Sequence, residues 1–231
     1  QDKDDGMHKD LLTLYDLTKK DFDLIFKRTA VLKRKHRQGQ QYHPLRGKTL
    51  GMIFEKPSTR TRVSFEVGTF QLGGLALYLR WTDTQLGRGE SISDTARVLS
   101  RYLDGVMIRT FDQTTVEEFA HSADVPVING LTDLYHPCQI LADLFTVIER
   151  RGSYKGLKAV YIGDGNNIAN TWIDAALRLN FDLTLACPKG HEPDRMVLQR
   201  AQQEATSEIA LVHDPYEAVR NADVVNTDTW V

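Results

Sequence analysis

The chain has 231 residues, 41% of them hydrophobic and 26% charged, with a formal net charge of -2. That balance suits a soluble globular protein of one large or two small domains, each able to bury a core. Near-neutral charge gives no bulk attraction for nucleic acid, and the apolar runs are far shorter than the ~20 residues of a membrane span, so neither partner is expected. Any anion site must therefore be local. The two cysteines, Cys138 and Cys187, make no disulfide framework. They read as reduced thiols in a cytoplasmic protein, although one pair between them stays open. The acidic start from Gln1 to Gly6 lacks a Met and reads as a processing remnant ahead of Met7.

In chain order, Thr18-Lys19-Lys20-Asp21 fits a capping box and opens the first helix. A strand over 49–54 precedes a helix that Ser58 can cap and Gly73-Gly74 ends, with Val63, Val67 and Phe70 on one face. Strands follow over 75–79 and 105–109, separated by a polar Gly-rich loop over 85–91 and a helix from about Ile92. Thr114-Thr115-Val116-Glu117 is a second capping box, and a strand over 126–128 leads to a long amphipathic helix from His136 to about Arg150. Strands over 159–162, 183–186, 210–213 and 224–226 alternate with helices, one of them ending near Asn180 and another opened by Asp214-Pro215.

Most of these strands are apolar on consecutive positions, as in a parallel sheet covered on both faces. Repeated β-α units predict an α/β fold with open, mostly parallel sheets. The turn at Arg151-Gly152-Ser153-Tyr154-Lys155-Gly156 is the expected hinge, giving domains at 7–150 and 151–231. The last strand has nothing after it, so either the second domain is small or the sequence is cut and that domain is partial.

Strand 49–54 ends beside Pro57, and Ser58 starts a helix there. First-turn N–H groups, the helix dipole, the Ser and Thr hydroxyls and Arg60 would converge at the strand's carboxyl end, where an anion is well placed. Arg60 and Arg62 stand two apart on the helix and cannot face the same anion; Arg62 pairs instead with Glu66 one turn on. By helix chemistry alone this is also what an ordinary capped helix looks like.

Ser58-Thr59-Arg60-Thr61-Arg62 after Phe54-Glu55-Lys56-Pro57 resembles the carbamoyl-phosphate motif of the aspartate/ornithine carbamoyltransferase family. His136-Pro137-Cys138-Gln139 resembles that family's second motif, and Gln85-Leu86-Gly87-Arg88-Gly89-Glu90 resembles its ornithine branch, lacking the Lys that aspartate enzymes place near Arg88. The resemblance implies that Ser58, Thr59, Arg60 and Thr61 bind phosphate, and that Arg109, His136 and Gln139 hold the carbamoyl group. It implies that Gln85 contributes across the interface of a homotrimer, or a multiple of trimers, with sites between subunits. Ile162-Gly163-Asp164-Gly165-Asn166-Asn167 lacks the third glycine of a dinucleotide fingerprint and reads as a capped βα turn. The family likeness makes Asn167 an ornithine ligand there. Asn226-Thr227-Asp228-Thr229-Trp230 resembles a Thr-Asp-x-Trp segment, with Asp228 on the ornithine α-ammonium and Asn226 replacing a usual aromatic residue. Family elements expected after Val231 include a Ser-Met-Gly loop and a His-Cys-Leu-Pro motif.

The activity this implies is transfer of the carbamoyl group of carbamoyl phosphate to the side-chain amine of L-ornithine, giving L-citrulline and phosphate in arginine biosynthesis. Arg60, Arg109 and His136 would be the catalytic donors. No cofactor or metal is expected, and phosphate is leaving group enough that Cys138 needs no nucleophilic role. Two other readings stand beside it: a carbamoyltransferase for aspartate, putrescine or an acylated ornithine, and a non-catalytic phosphate-binding relative that kept the fold.

Overall fold

The computed structural model describes residues 10–229, so Gln1–Gly6, Met7, Trp230 and Val231 lie outside the described residues. It contains two compact units. The first comprises residues 10–12 and Lys20–Thr132, the second Thr13–Lys19 and residues 133–229.

The first unit is built on a four-stranded parallel sheet of β1 (Thr49–Phe54), β2 (Leu75–Arg80), β3 (Gly105–Arg109) and β4 (Val127–Leu131), in the order β2-β1-β3-β4. Its helices are α1 (Lys19–Arg37), α2 (Thr59–Gln71), α3 (Ile92–Leu99) and α4 (Gln113–Ser122). Period-2 alternation divides the core between the two sheet faces. Ile53, Val106, Ile108 and Val127 pack with Ala96, Val116 and Phe119, whereas Met52, Phe54 and Met107 gather Phe65 and Tyr78.

Two local expectations change. The edge strand β2 has no fully buried position, its residues being exposed or half-buried, whereas the other edge strand, β4, is buried at four of its five positions. The helix expected to be capped by Thr114 begins at Gln113, after Asp112. Gln113 is drawn into the first turn because its buried amide oxygen accepts from Asn129 Nδ2 at 3.2 Å and from Thr132 Oγ1 at 2.9 Å. Gln113 Nε2 in turn donates to Glu117 at 3.1 Å.

The second unit holds another parallel sheet, β5 (Lys158–Ile162), β6 (Asp182–Ala186), β7 (Ile209–Val212) and β8 (Val224–Thr227), in the order β7-β6-β5-β8. Its helices are α5 (Pro137–Arg151), α6 (Asn167–Leu179), α7 (Arg195–Glu204) and the single turn α8 (Pro215–Ala218). Helix α6 is buried along nearly its whole length, and Trp172 meets the Phe181 ring edge-on. By its contacts, α5 groups with the second unit. Its entry is tied there: Asn170 Nδ2 donates to Leu134 O at 3.2 Å, and the His136 N–H donates to Thr171 Oγ1 at 2.8 Å.

Candidate active site

In both sheets the chain order reverses beside the first strand: β2 lies on one side of β1 and β3 on the other, just as β6 and β8 flank β5. The carboxyl ends of two such strands leave a crevice between them, the usual ligand position in open α/β sheets.

In the first unit, β1 runs into Ser58, the N-cap of α2. The Ser58 Oγ accepts from Thr61 N–H at 3.3 Å, and the two hydroxyls are 3.1 Å apart. A cap of this kind contributes about 1 kcal/mol. The end of β3 is fastened to the same turn. Glu55 N–H donates to Arg109 O at 2.9 Å, and the Thr110 hydroxyl donates to the Glu55 carboxylate. A register shift between Ile108 and Arg109 re-aims the strand end. Arg109 Nη1 donates to Thr61 Oγ1 at 3.4 Å, while Arg109 Nε is buried with no acceptor among the described residues.

Burial and then the Arg60 charge make Arg109 a less willing cation than usual. Two guanidinium groups that repel each other, with a donor unused, form a site whose electrostatics call for an anion. The sequence paired Arg62 with Glu66, and the Nε–Oε1 distance is 3.0 Å, with the guanidinium 4.0 Å from the Tyr78 ring centre. Gln85 stands exposed in the loop that Leu86 anchors, and its carbonyl accepts from Arg88 and Glu90 N–H. Within this unit, then, Ser58, Thr61, Arg60 and Arg109 come together.

The second unit holds His136, Gln139, Asn167 and Asp228. His136 is the N-cap residue of α5, with Pro137 at the first helical position. Gln139 lies one turn on and donates through Nε2 to Asp143 Oδ1 at 2.9 Å. Burial pushes the Cys138 thiol up to about 12, which leaves no thiolate for nucleophilic attack near neutrality. Cys138 and Cys187 are not joined by a disulfide.

At the β5–β8 crevice, Asn166 caps α6: its Oδ1 accepts from Ile168 and Ala169 N–H at 2.9 and 3.4 Å. Asn167 is the first helical residue. The turn is tight for a steric reason, since a Cβ on Gly165 would stand 2.1 Å from Pro193 N.

Three contributors were not singled out as site residues in the sequence. Asn166 donates to the Asp228 carboxylate at 3.2 Å, Asp143 holds Gln139, and Thr171 links His136 N–H to the Asn167 carbonyl, donating to it at 2.6 Å. The i,i+4 spacing of Gln139 and Asp143 was a readable signal. The Asn166–Asp228 and His136–Thr171 links span gaps in sequence that no local pattern reveals.

The chain matches a family model described as the aspartate/ornithine carbamoyltransferase carbamoyl-P binding domain over residues 9–149, and the Asp/Orn binding domain of the same family over 155–231. It is 64% identical over 224 residues to the ornithine carbamoyltransferase of Syntrophus aciditrophicus, covering 97% of this chain and 74% of that one. It is 51% identical to the ornithine carbamoyltransferase of Thermococcus kodakarensis, covering 96% and 71%. Among solved structures, the ornithine carbamoyltransferase from Pyrococcus furiosus superposes with a TM-score of 0.93 at 51% identity, over 96% of this chain and 72% of that one. The two domain matches, the identities and the shared fold lead to one conclusion: the chain belongs to the aspartate/ornithine carbamoyltransferase family.

Proposed function

We propose that the protein transfers the carbamoyl group of carbamoyl phosphate to the side-chain amine of L-ornithine, releasing L-citrulline and phosphate. The observation that carries this reading is the paired Arg60 and Arg109 at the β1–β3 crevice, with Arg109 Nε buried and without an acceptor among the described residues. The 64% and 51% identities to proteins named ornithine carbamoyltransferase favour ornithine as the amine.

In this reading Ser58, Thr59, Arg60 and Thr61 hold the phosphate, with Gln85 supplied by a neighbouring subunit. Arg109, His136 and Gln139 take the carbamoyl group, and Asn167 and Asp228 take the α-amino acid end of ornithine. As the amine attacks, negative charge grows on the carbonyl oxygen. Fixed donors from Arg109, His136 and Thr61 stabilise that charge more than they stabilise the ground state. The tetrahedral centre then collapses: the carbon–oxygen bond to phosphate breaks, the amine nitrogen gives up its proton to the departing phosphate, and Arg60 receives the phosphate charge. Functionally, residues 7–150 act as the carbamoyl-phosphate domain and 151–231 as the ornithine domain.

The same reading makes the protein a cytoplasmic homotrimer, or a multiple of trimers, serving arginine biosynthesis. Val63, Val67 and Phe70 on α2 are 50%, 45% and 77% exposed in the single chain, an apolar face that a neighbouring subunit would cover. None of the helices among the described residues is long and apolar enough to cross a membrane.

The test is an assay of the whole protein with carbamoyl phosphate and either ornithine or aspartate. Citrulline formation without carbamoyl-aspartate is expected. Comparable rates on both amines would overturn the choice of ornithine, and no product from either would overturn the reaction.

A further inference from the structure

We propose that Asp143 is a positioning residue that fixes the amide of Gln139 with its oxygen facing away from Asp143, where it accepts an N–H of the carbamoyl group, and that Asn226 braces Asp143 in turn. The proposal rests on the function proposed above and adds two residues to it.

Gln139 and Asp143 are four apart on α5 and share one face of the helix. A primary amide can present either end to a neighbour, but an ionised carboxylate only accepts hydrogen bonds. Asp143 Oδ1 therefore takes the Nε2 end, at 2.9 Å, and leaves Oε1 as the outward group. This orientation answers a need in the substrate. The carbamoyl group carries an NH2 with two donors, whereas the guanidinium groups of Arg60 and Arg109 can only donate. A reversed Gln139 would set an NH2 against an NH2. Held as it is, Gln139 supplies an acceptor for the one end of the substrate that the arginines cannot satisfy.

The brace comes from β8. Asn226 Nδ2 donates to the second oxygen, Asp143 Oδ2, at 3.4 Å. Asn226 stands two residues before Asp228, whose negative charge acts on Asp143. A phenylalanine at 226 would offer no such donor. The asparagine that departs from the family pattern thus has a partner in Asp143. Burial pushes Asp143 above the ordinary carboxylate range, while the hydrogen bonds from Gln139 and Asn226 hold it down, so both partners favour the ionised form.

The experiment is a double-mutant cycle in steady-state kinetics on the whole protein, with Asp143→Asn, Gln139→Met and the two combined. Asp143→Asn keeps shape but lets either end of Gln139 face it. It should lower kcat/KM for carbamoyl phosphate by about ten- to a hundredfold. In the Gln139→Met background the same change should cost less than about twofold, because the group it orients is gone. Asn226→Leu should give a smaller loss that likewise vanishes in that background, and it serves if Asp143→Asn folds poorly. Additive losses from both variants would show a purely structural role and overturn this proposal alone. An unaltered protein that makes no citrulline would overturn the underlying reading and this proposal with it.

Discussion

The Asn166 side chain donates through Nδ2 to the Asp228 carboxylate at 3.2 Å, joining the start of α6 to the end of β8 across the β5–β8 crevice. Its oxygen is already committed to the helix cap and to the Tyr161 hydroxyl, which donates to it at 3.3 Å. Only the NH2 end remains to meet Asp228, so the carboxylate is held in one orientation beside the helix N-terminus.

An ornithine α-ammonium would find a prepared acceptor there. Asp228→Asn keeps the shape and removes the charge. The KM for ornithine should rise at least about tenfold, the scale of one charge-assisted hydrogen bond. Affinity for carbamoyl phosphate, measured by calorimetric titration, should stay within about twofold. An unchanged KM would remove Asp228 from the ornithine site.

Arg60 makes a contrasting case. It is exposed, and its charge acts on Arg109, a like charge. Arg60→Ala should therefore weaken phosphate or carbamoyl-phosphate binding at least about tenfold while leaving the melting temperature within a few degrees. Titration with inorganic phosphate reads the first effect and calorimetry the second. Unaltered phosphate affinity would mean that the cation serving this site is another residue.

Thr171 sits fully buried between the two halves of the second unit's chemistry, accepting from His136 N–H and donating to Asn167 O. Thr171→Val keeps the volume and leaves a backbone N–H unsatisfied, a cost of about 1–3 kcal/mol. We expect kcat to fall about tenfold as His136 loses its fixed backbone, and Thr171→Ser to restore most of it. A serine variant as impaired as the valine one would show that the methyl group matters, not the hydroxyl.

A pH dependence follows from Asp174. It is wholly buried on α6 and pairs with Arg200 Nη2 at 2.7 Å, whose guanidinium lies 3.7 Å from the Tyr15 ring centre. Burial lifts the Asp174 carboxyl to about 7 against the opposing pull of Arg200. Its ordinary value is 3.8. Between the two, the folded state keeps a proton the unfolded chain has released. The stability this group contributes is therefore present in acid and lost as pH rises through that window. Arg200→Met removes the pull and carries the loss further upward. Its destabilisation should be roughly 1 kcal/mol larger at pH 8 than at pH 5. Equal deficits in urea unfolding at the two pH values would mean that Arg200 contributes by packing on Tyr15 alone.

The eight strands were legible in the amino-acid sequence because short β-branched runs between turn residues have few other stable forms, and Ser58, Asp214 and Pro137 marked helix starts through chemistry local to each. The Arg62–Glu66 pair was readable for the same reason, since helix geometry alone brings such residues together. The start of α4 was not. A local capping box at Thr114 yielded to a buried amide at Gln113 satisfied by Asn129 and Thr132, and burial makes an unmet hydrogen bond costlier than a lost cap. The partners of the functional side chains lay further out of reach. Asp143 meets Asn226 83 residues away, and Asn166 meets Asp228 62 residues away. What the sequence by itself determined is the order of elements and the residue types at each strand end. Only the tertiary structure decided which way Gln139 and Asp228 face, because an amide or carboxylate is oriented by whatever donor or acceptor the sheet order sets beside it, and strand order is settled by packing that no short window contains.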